Sequence, residues 1–298
     1  MAARNQETTL WRLSRNSAVR FGVVILGVII FIALLAPWML TVNPSTMDPA
    51  VMNLAPGETA LFTIAPQRTI LHTFWFGGDS YGRDIYSRVL YGCRISLIVG
   101  FLASTISMFF GALLGTLAGY VRALDAVLMR VMDGLMAIPS ILLALALVAA
   151  LGPSIATVVI AIALPEVPRV TRLVRSIVLT LREEPFVEAA KALATSAPVI
   201  MTRHILPNAL APLIVQGTFI CASAILTEAV LSFLGLGLPA DIPTWGNIMA
   251  DGRVHFIQHP GSVFFPAMFL IPTVLAINML GDGLRDVLDP KFATRTAA

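Results

Sequence analysis

The amino-acid sequence predicts an all-α, polytopic membrane protein with six transmembrane helices. Hydrophobic residues make up 57% of its 298 positions and charged residues only 12%, and the mean hydropathy is +0.84. Soluble domains carry about 25% charged residues, so the deficit is too large for a single anchor helix to explain. Long stretches without any charge recur along the chain. Several of these stretches reach the length of about 20 apolar residues that a helix needs to cross the hydrocarbon core.

The first predicted transmembrane helix covers residues 21–40. The arginines of the tail before it, residues 1–20, resemble the start of a signal peptide. We interpret the helix as retained, because its apolar run exceeds the roughly 7–15 residues of a signal-peptide core and no clean small-residue cleavage site follows. Residues 41–94, rich in Pro, Gly, Asp and aromatic residues, are predicted to form an extracytoplasmic segment.

Five more helices are predicted within a core at residues 95–290. The charge-free run after Asp133 is broken at Gly152 and is too short for two full spans, so the fourth helix is expected to continue past Glu166. The other helices are expected between Arg94 and Arg122, at about residues 208–232 and at about residues 262–280, ahead of a cytoplasmic tail at residues 291–298.

The distribution of positive charge predicts that both termini are cytoplasmic. With that orientation the inner segments hold fifteen of the twenty Lys and Arg residues and the outer segments hold five. This asymmetry fits the positive-inside rule, and it accounts for the isoelectric point of about 9.2. We therefore expect a membrane-embedded protein surrounded by lipid, with no nucleic-acid partner.

The residue patterns of common enzyme sites are missing from the sequence. Neither lysine, Lys191 or Lys291, follows a glycine, so a phosphate-binding GxxxxGK[ST] loop cannot form. The two cysteines lie far apart, and His255 and His259 have no third ligand with which to complete a metal site. We predict no catalytic residue, no metal and no cofactor bound by this chain, which is not expected to be an enzyme.

The loop at residues 183–207 is the most charged part of the chain. Pro185 after two acids predicts a helix start, and four apolar residues then share one helical face: Phe186, Ala189, Ala190 and Leu193. A second short helix is predicted from Pro198 to about His204. The small alanine side chains favour docking into a groove of a partner protein, and a helix lying flat at the lipid interface is the alternative.

Glu188-Ala189-Ala190, followed by Pro207 in the string HILPN, resembles the EAA loop of binding-protein-dependent ABC importer permeases. The resemblance implies that the loop forms coupling helices in a cleft of a cytoplasmic ATPase subunit. The usual glycine of that motif is Ala194 here, so we expect docking to survive, whereas the resemblance leaves open the bend between the two short helices. The coupling residues that the resemblance implies are Phe186, Glu188, Ala189, Ala190, Leu193, Ala194, Ile205 and Pro207.

Four further strings resemble the C-type subunit of dipeptide, oligopeptide and nickel importer permeases: FGGDSYGRDIYSR, LSFLGLG, PTWGNIMADGR and LGDGLRDVLDP. The resemblance implies a type I importer fold in a bacterial cytoplasmic membrane and ATP-driven import of small peptides, with nickel or glutathione as alternative solutes. It also implies a second, non-identical permease, two ATPase subunits that bind ATP and Mg, and an extracytoplasmic solute-binding protein.

Several polar and small residues outside the loop are candidates for gating or packing. We expect Gly82, Arg83 and Asp84 in a short amphipathic helix at the outer surface, either near the binding protein or in structural ion pairs. Glu228 is expected near the outer boundary, where it contacts a gate or anchors the glycine-rich turn after it, and Trp245 is a further gate candidate. The stripe of Gly111, Gly115 and Gly119 predicts close helix packing, either within this subunit or against the second permease.

A secondary transporter or channel working alone is the competing class of function. Ion coupling would require acids or histidines near the bilayer midplane, and Glu166 and Glu228 come closest to it. Both are expected near helix ends, which disfavours this class.

Overall fold

The computed structural model describes residues 13–288, so the predicted tail at residues 291–298 and most of the one at residues 1–20 lie outside the described residues. Helices α1 to α9 cover Ser17–Leu35, Ile85–Tyr120, Arg122–Met136, Ser140–Leu151, Ile155–Leu181, Pro185–Ala192, Leu206–Phe233, Trp245–Gly252 and Gly261–Leu288. Strands β1 and β2 cover Glu58–Ala65 and Arg68–Phe74. Shorter helical pieces are Ala36–Trp38, Pro49–Val51, Ala197–Val199, the π-helical Ile200–Ile205 and Arg253–His255.

Four helices of the described chain are long and apolar enough to cross a membrane by themselves: α1, α2, α7 with the helical turns before it, and α9. Helices α3 and α4 meet at a bend of 86° and count as a fifth span only when taken together. Length and composition thus give four or five spans, where the sequence predicted six. The remaining long helix, α5, has 27 residues and continues past Glu166 as predicted, but its second half carries three arginines.

Helix α5 packs along α2 more extensively than any other pair of described helices, and the glycine stripe of α2 explains why. A Cβ atom added at Gly115 would lie 2.6 Å from the backbone oxygen of Thr171, and one at Gly119 would lie 2.6 Å from Cβ of Val178. Only glycine allows the two backbones to approach this closely. The stripe therefore packs within this subunit, and the alternative contact with a second permease is wrong.

The helices form a bundle with two distinct ends. We call the end that carries the β-strands the hairpin end, and the end that carries α3 and α6 the loop end. Buried apolar clusters join α1, α2, α7, α8 and α9 in one part of the bundle and α2, α4, α5 and α7 in another. A third cluster joins α5, α6 and α7 at the loop end. Buried apolar contacts thus extend from the hairpin end of the bundle to its loop end.

The segment between α1 and α2 folds into a lobe with a two-stranded antiparallel β-hairpin, which the sequence prediction of an all-α chain missed. We call residues 41–84 the hairpin lobe. Leu61 pairs with Leu71 across the hairpin, and the alternate residues Phe62 and Phe74 are fully buried, as the two-residue period of a strand requires. Together with Val51 they form a small separate core.

Helix α2 begins at Ile85, about ten residues before the predicted boundary at Arg94. Asp84 is its N-cap, and its carboxylate accepts hydrogen bonds from the backbone N–H of Ser87 at 3.0 Å and from the Ser87 hydroxyl at 2.5 Å. The prediction placed the boundary at a charged residue, but Arg94 donates to the backbone oxygens of Ala33 and Leu34 at the end of α1. A charge that is paired inside the protein does not end a helix.

Candidate functional site

The loop at residues 183–207, which we call the coupling segment, lies at the loop end and exposes part of its predicted apolar face. Leu193 is 82% exposed and Phe186 is 42% exposed, and Ala189 is exposed between them. Large apolar side chains left in contact with solvent in this way indicate a surface that another molecule covers.

Ala190 does not belong to that exposed face, contrary to the sequence prediction. Its side chain is 7% exposed and lies in an apolar cluster with Val187, Ile200 and Ile205. Ile205, also predicted as a coupling residue, is fully buried in the same cluster. The four-residue face was drawn from helical periodicity alone, which does not show that the chain folds back on α6 and covers one side of it.

A bend follows α6 at Ala194, the position where the motif usually has glycine. Ala194 has a φ of +57°, in the left-handed region that costs a non-glycine residue roughly 1–2 kcal/mol. Its N–H bonds to the backbone oxygen of Lys191 at 2.9 Å, and the next N–H, of Thr195, bonds to that of Ala190 at 3.1 Å. These two bonds end the helix, so alanine at this position still allows a turn between α6 and the helical turns after it.

The second short helix of the coupling segment does not end near His204 as predicted. It begins at Ala197, passes through the π-helical stretch Ile200–Ile205 and continues into α7 at Leu206. Pro207 lies in the first turn of α7, and because the helix continues from Ala197, its missing N–H removes one bond of that helix. A movement of the coupling segment therefore acts directly on a membrane helix. Glu188 is exposed on α6.

Two arginine–aspartate pairs connect α5 to α3 at the loop end, and no sequence pattern predicted them. The guanidinium of Arg175 donates to both carboxylate oxygens of Asp125, at 2.5 and 2.6 Å. Arg172 donates to Asp133 at 2.5 Å. Because α5 leads into the coupling segment, these pairs also join α3 to that segment.

At the hairpin end, Arg83 is the centre of a buried charge network. Its guanidinium donates to Asp79 and to Asp251 at 2.6 Å each, and to the backbone oxygen of Ala240 at 3.2 Å. Arg83 is fully buried, and so is Arg88, which lies 3.6 Å from Asp251. These bonds tie the hairpin lobe to α8 and to the segment that precedes it.

The short amphipathic surface helix predicted around Arg83 and Asp84 is therefore wrong. Asp84 is 1% exposed and begins α2, while Gly82 has a φ of +70° and a Cβ atom there would lie 1.9 Å from the backbone oxygen of Asp48. Asp79 and Asp251, which complete the network, were not recognised as its members. Their separation of 172 positions in the chain leaves no local pattern that could have revealed them.

Asp48 fixes the hairpin lobe internally. Its carboxylate accepts hydrogen bonds from the backbone N–H of Ala50 at 2.9 Å and of Thr63 at 2.8 Å. Those bonds lower the pKa of Asp48 below its usual value, because they favour the charged form. The carboxylate thus links the turn at Pro49–Val51 to strand β1.

The two remaining gate candidates are buried inside the protein. Glu228 is fully buried five residues before the end of α7, and its Oε1 atom accepts a hydrogen bond from the hydroxyl of Ser232 at 2.7 Å. This contact lies at the end of α7, beside the glycine-rich turn. Trp245 is also fully buried and donates from its indole Nε1 to the backbone oxygen of Val89 at 3.3 Å. A gating role for either residue stays a prediction.

Comparison with known proteins places these features in a family. Residues 107–294 match the family described as "Binding-protein-dependent transport system inner membrane component", and residues 7–56 match "N-terminal TM domain of oligopeptide transport permease C". A probable peptide ABC transporter permease of Sinorhizobium fredii is 46% identical over 98% of this chain and 96% of its own length.

A second relative is a dipeptide transport system permease of Alkalihalophilus pseudofirmus, 44% identical over 94% of this chain and 88% of its own length. Among solved structures, the inward-facing MetNI methionine ABC transporter contains a chain with a TM-score of 0.54 and 19% identity. The match covers 67% of the present chain and 96% of that one. At this identity the likeness shows the fold, that of a type I importer permease.

Proposed function

Because the chain belongs to the family of binding-protein-dependent transport system inner membrane components, we propose that it is the permease subunit of an ATP-driven importer of di- and oligopeptides. The observation that carries the proposal is the similarity to a peptide ABC transporter permease over 98% of the chain. A family match over one domain would support only the class of transporter. Similarity along nearly the whole length supports the class of solute as well.

The proposal includes the partners that the chain needs. A second, non-identical permease forms the other half of the pathway, and an extracytoplasmic binding protein delivers the peptide. Two ATPase subunits bind ATP and Mg, so this chain performs no bond chemistry. The excess of Lys and Arg in the segments that end at the loop end orients that end, with both termini, toward the cytoplasm of a bacterial cell.

Coupling to the ATPase is assigned to the exposed part of the coupling segment. Leu193 and Phe186 offer apolar side chains to a cleft of the ATPase subunit. When the ATPases close, α6 moves, and the continuous helix from Ala197 into α7 carries the movement into the membrane. The pairs of Arg172 and Arg175 with α3 carry it to a second helix. The translocation pathway between the two permease subunits then switches from inward-facing to outward-facing.

The test is uptake of a radiolabelled dipeptide by cells that carry the complete set of subunits. Leu193→Glu places a charge on the exposed apolar side of α6, and Ala192→Glu places the same charge on a different side of the same helix. We expect Leu193→Glu to abolish uptake while membrane insertion persists, and Ala192→Glu to reduce it less. Wild-type uptake should stop with vanadate and persist with a protonophore.

Each outcome decides a separate part of the proposal. Dipeptide uptake that resists vanadate would contradict the ATP-driven mechanism. Normal uptake by Leu193→Glu would contradict the assigned docking side of α6. Absence of wild-type dipeptide uptake would contradict the peptide substrate, even if the importer class is correct.

A further inference from the structure

A small cavity lies between α4, α5 and α7, separate from the coupling segment and from the charge network of Arg83. Its volume is about 30 Å³, and a single water needs roughly 10–15 Å³ on this measure. The cavity thus has room for one or two waters or for one small polar group. Four of the residues that line it have polar side chains, namely Ser140, Glu166, Ser223 and Thr227, and the backbone of Ala161 and Pro165 lies beside them.

The cavity lies about halfway through the membrane. Glu166 is eleven residues from the hairpin end of α5, Ser140 is eleven from that of α4, and Ser223 is ten from that of α7. With a rise of 1.5 Å per residue, all three lie roughly 15–17 Å from those helix ends. With those helix ends placed at the outer boundary, a hydrocarbon core of about 30 Å has its midplane at this depth. The sequence had placed Glu166 near the end of a helix.

The cavity offers mostly hydrogen-bond acceptors. Oε2 of Glu166 is paired with Arg169 at 2.8 Å, whereas Oε1 accepts no hydrogen bond from any residue that the structure describes. The Thr227 hydroxyl donates its proton to the backbone oxygen of Ser223 at 2.8 Å, which leaves its oxygen free to accept. Pro165 has no N–H, so the backbone oxygen of Ala161 lacks its usual helical donor.

We infer that this cavity binds a primary ammonium group, namely the charged amino terminus of a peptide in transit. An ammonium has three donors and no acceptor, which matches a carboxylate oxygen surrounded by hydroxyl and carbonyl oxygens. A divalent cation would require several carboxylates or other oxygen ligands around it, and Glu166 is the one acid that lines the cavity. The inference rests on the proposed peptide import.

The position of Arg169 leaves the carboxylate available to such a ligand. Its side chain is 57% exposed, whereas that of Glu166 is 11% exposed, so the guanidinium approaches from the open side and holds only Oε2. An acid at this depth is energetically costly, and acids that occur there in membrane proteins usually mark a functional site.

The experiment measures uptake of radiolabelled alanyl-alanine by the complete importer, together with the melting temperature of the purified complex. Glu166→Gln keeps the shape of the side chain and removes its charge, and we expect uptake at limiting peptide to fall about ten-fold, as for a lost hydrogen bond to a charged group. The melting temperature should stay the same or rise, because a charge leaves the membrane interior. Thr227→Val should reduce uptake two- to five-fold, without a loss of melting temperature.

Two controls separate this site from a structural role. Glu58→Gln makes the same change at an exposed acid of the hairpin lobe and should leave uptake unchanged. Arg169→Gln removes the ion pair and keeps the carboxylate, so it should reduce uptake much less than Glu166→Gln does.

Three results would overturn the inference. Normal uptake by Glu166→Gln would show that the cavity holds only water. Equal losses of uptake and of melting temperature in Glu166→Gln and Arg169→Gln would show a structural ion pair. Absence of alanyl-alanine uptake by the wild type would overturn the peptide proposal itself, and the site with it. Normal wild-type uptake that Glu166→Gln leaves unchanged would overturn the site alone.

Discussion

The hairpin lobe and the coupling segment use their polar and apolar residues in opposite ways. In the hairpin lobe the charged side chains of Asp79 and Arg83 are buried and paired within the chain. In the coupling segment, Leu193 and Phe186 are exposed, and the backbone holds a strained left-handed alanine. In the hairpin lobe, the buried charges find their partners within the same chain. The coupling segment leaves apolar surface uncovered.

This difference indicates which region is a fixed support and which is a surface for a partner. A buried ion pair is costly unless its geometry is good and its hydrogen bonds are satisfied, and Arg83 has both carboxylate partners at 2.6 Å. An exposed leucine gains nothing from its own chain. Substitutions should therefore change the stability of the hairpin lobe, and should change transport when they fall on the exposed side of the coupling segment.

The largest effect on stability is expected for Arg83→Met. It removes the closer of the two arginines that face buried Asp79 and partly exposed Asp251, while Arg88 remains 3.6 Å from Asp251. Removing one partner of a buried ion pair typically costs about 3–5 kcal/mol. Thermal unfolding of the purified protein measures the loss. Arg203→Met, at an exposed arginine of the coupling segment, should change stability by less than about 0.5 kcal/mol. Equal effects of the two substitutions would contradict the contrast between the regions.

A smaller loss of stability is expected for Ala190→Glu. The side chain points into the cluster with Val187 and Ile200, so a carboxylate there would be buried without a partner, at a cost of about 2 kcal/mol. Helix α6 can open locally, which limits the global effect. Limited proteolysis should cleave the coupling segment faster in this variant than in Leu193→Glu. Equal protection of the two variants would show that Ala190 is on the exposed side after all.

Acid should weaken the hairpin lobe through Asp48. Since its pKa is lowered in the folded state, the carboxylate contributes stability above its ordinary pKa of about 4, and that contribution disappears as pH falls through the folded value. Asp48→Asn should therefore lower the melting temperature at pH 7 and have a diminishing effect toward pH 3. A difference between wild type and variant that is constant with pH would contradict this assignment.

The smallest effect, and a stabilising one, is expected for Ala194→Gly. Glycine adopts a φ of +57° without the penalty that alanine pays, so the variant should gain up to about 1 kcal/mol in the coupling segment. Hydrogen exchange of the α6 amides measures this local gain. Ala192→Gly is the matched control. Because Ala192 lies within the helix, glycine there should destabilise α6 by about as much as Ala194→Gly stabilises it. Faster exchange in Ala194→Gly would contradict the strain.

The sequence determined the features that depend on composition and on local pattern. The deficit of charge required a membrane protein, the glycine spacing of α2 required close helix packing, and Pro185 after two acids marked the start of α6. The string around Glu188 and the four further strings identified the permease family, because such motifs are contiguous in the chain. The break at Gly152 before α5 and the continuation of α5 past Glu166 also followed from local features, a glycine and the length of a charge-free run.

Only the tertiary structure decided which side of each element is covered. Helical periodicity placed Ala190 beside Leu193, but the chain that folds back at Ile200 and Ile205 buries one and leaves the other exposed. Asp79 and Asp251 meet at Arg83 from opposite ends of the chain. The midplane position of Glu166 likewise depends on how α4, α5 and α7 assemble. Such contacts arise from packing between distant segments, and no local pattern of residues records them.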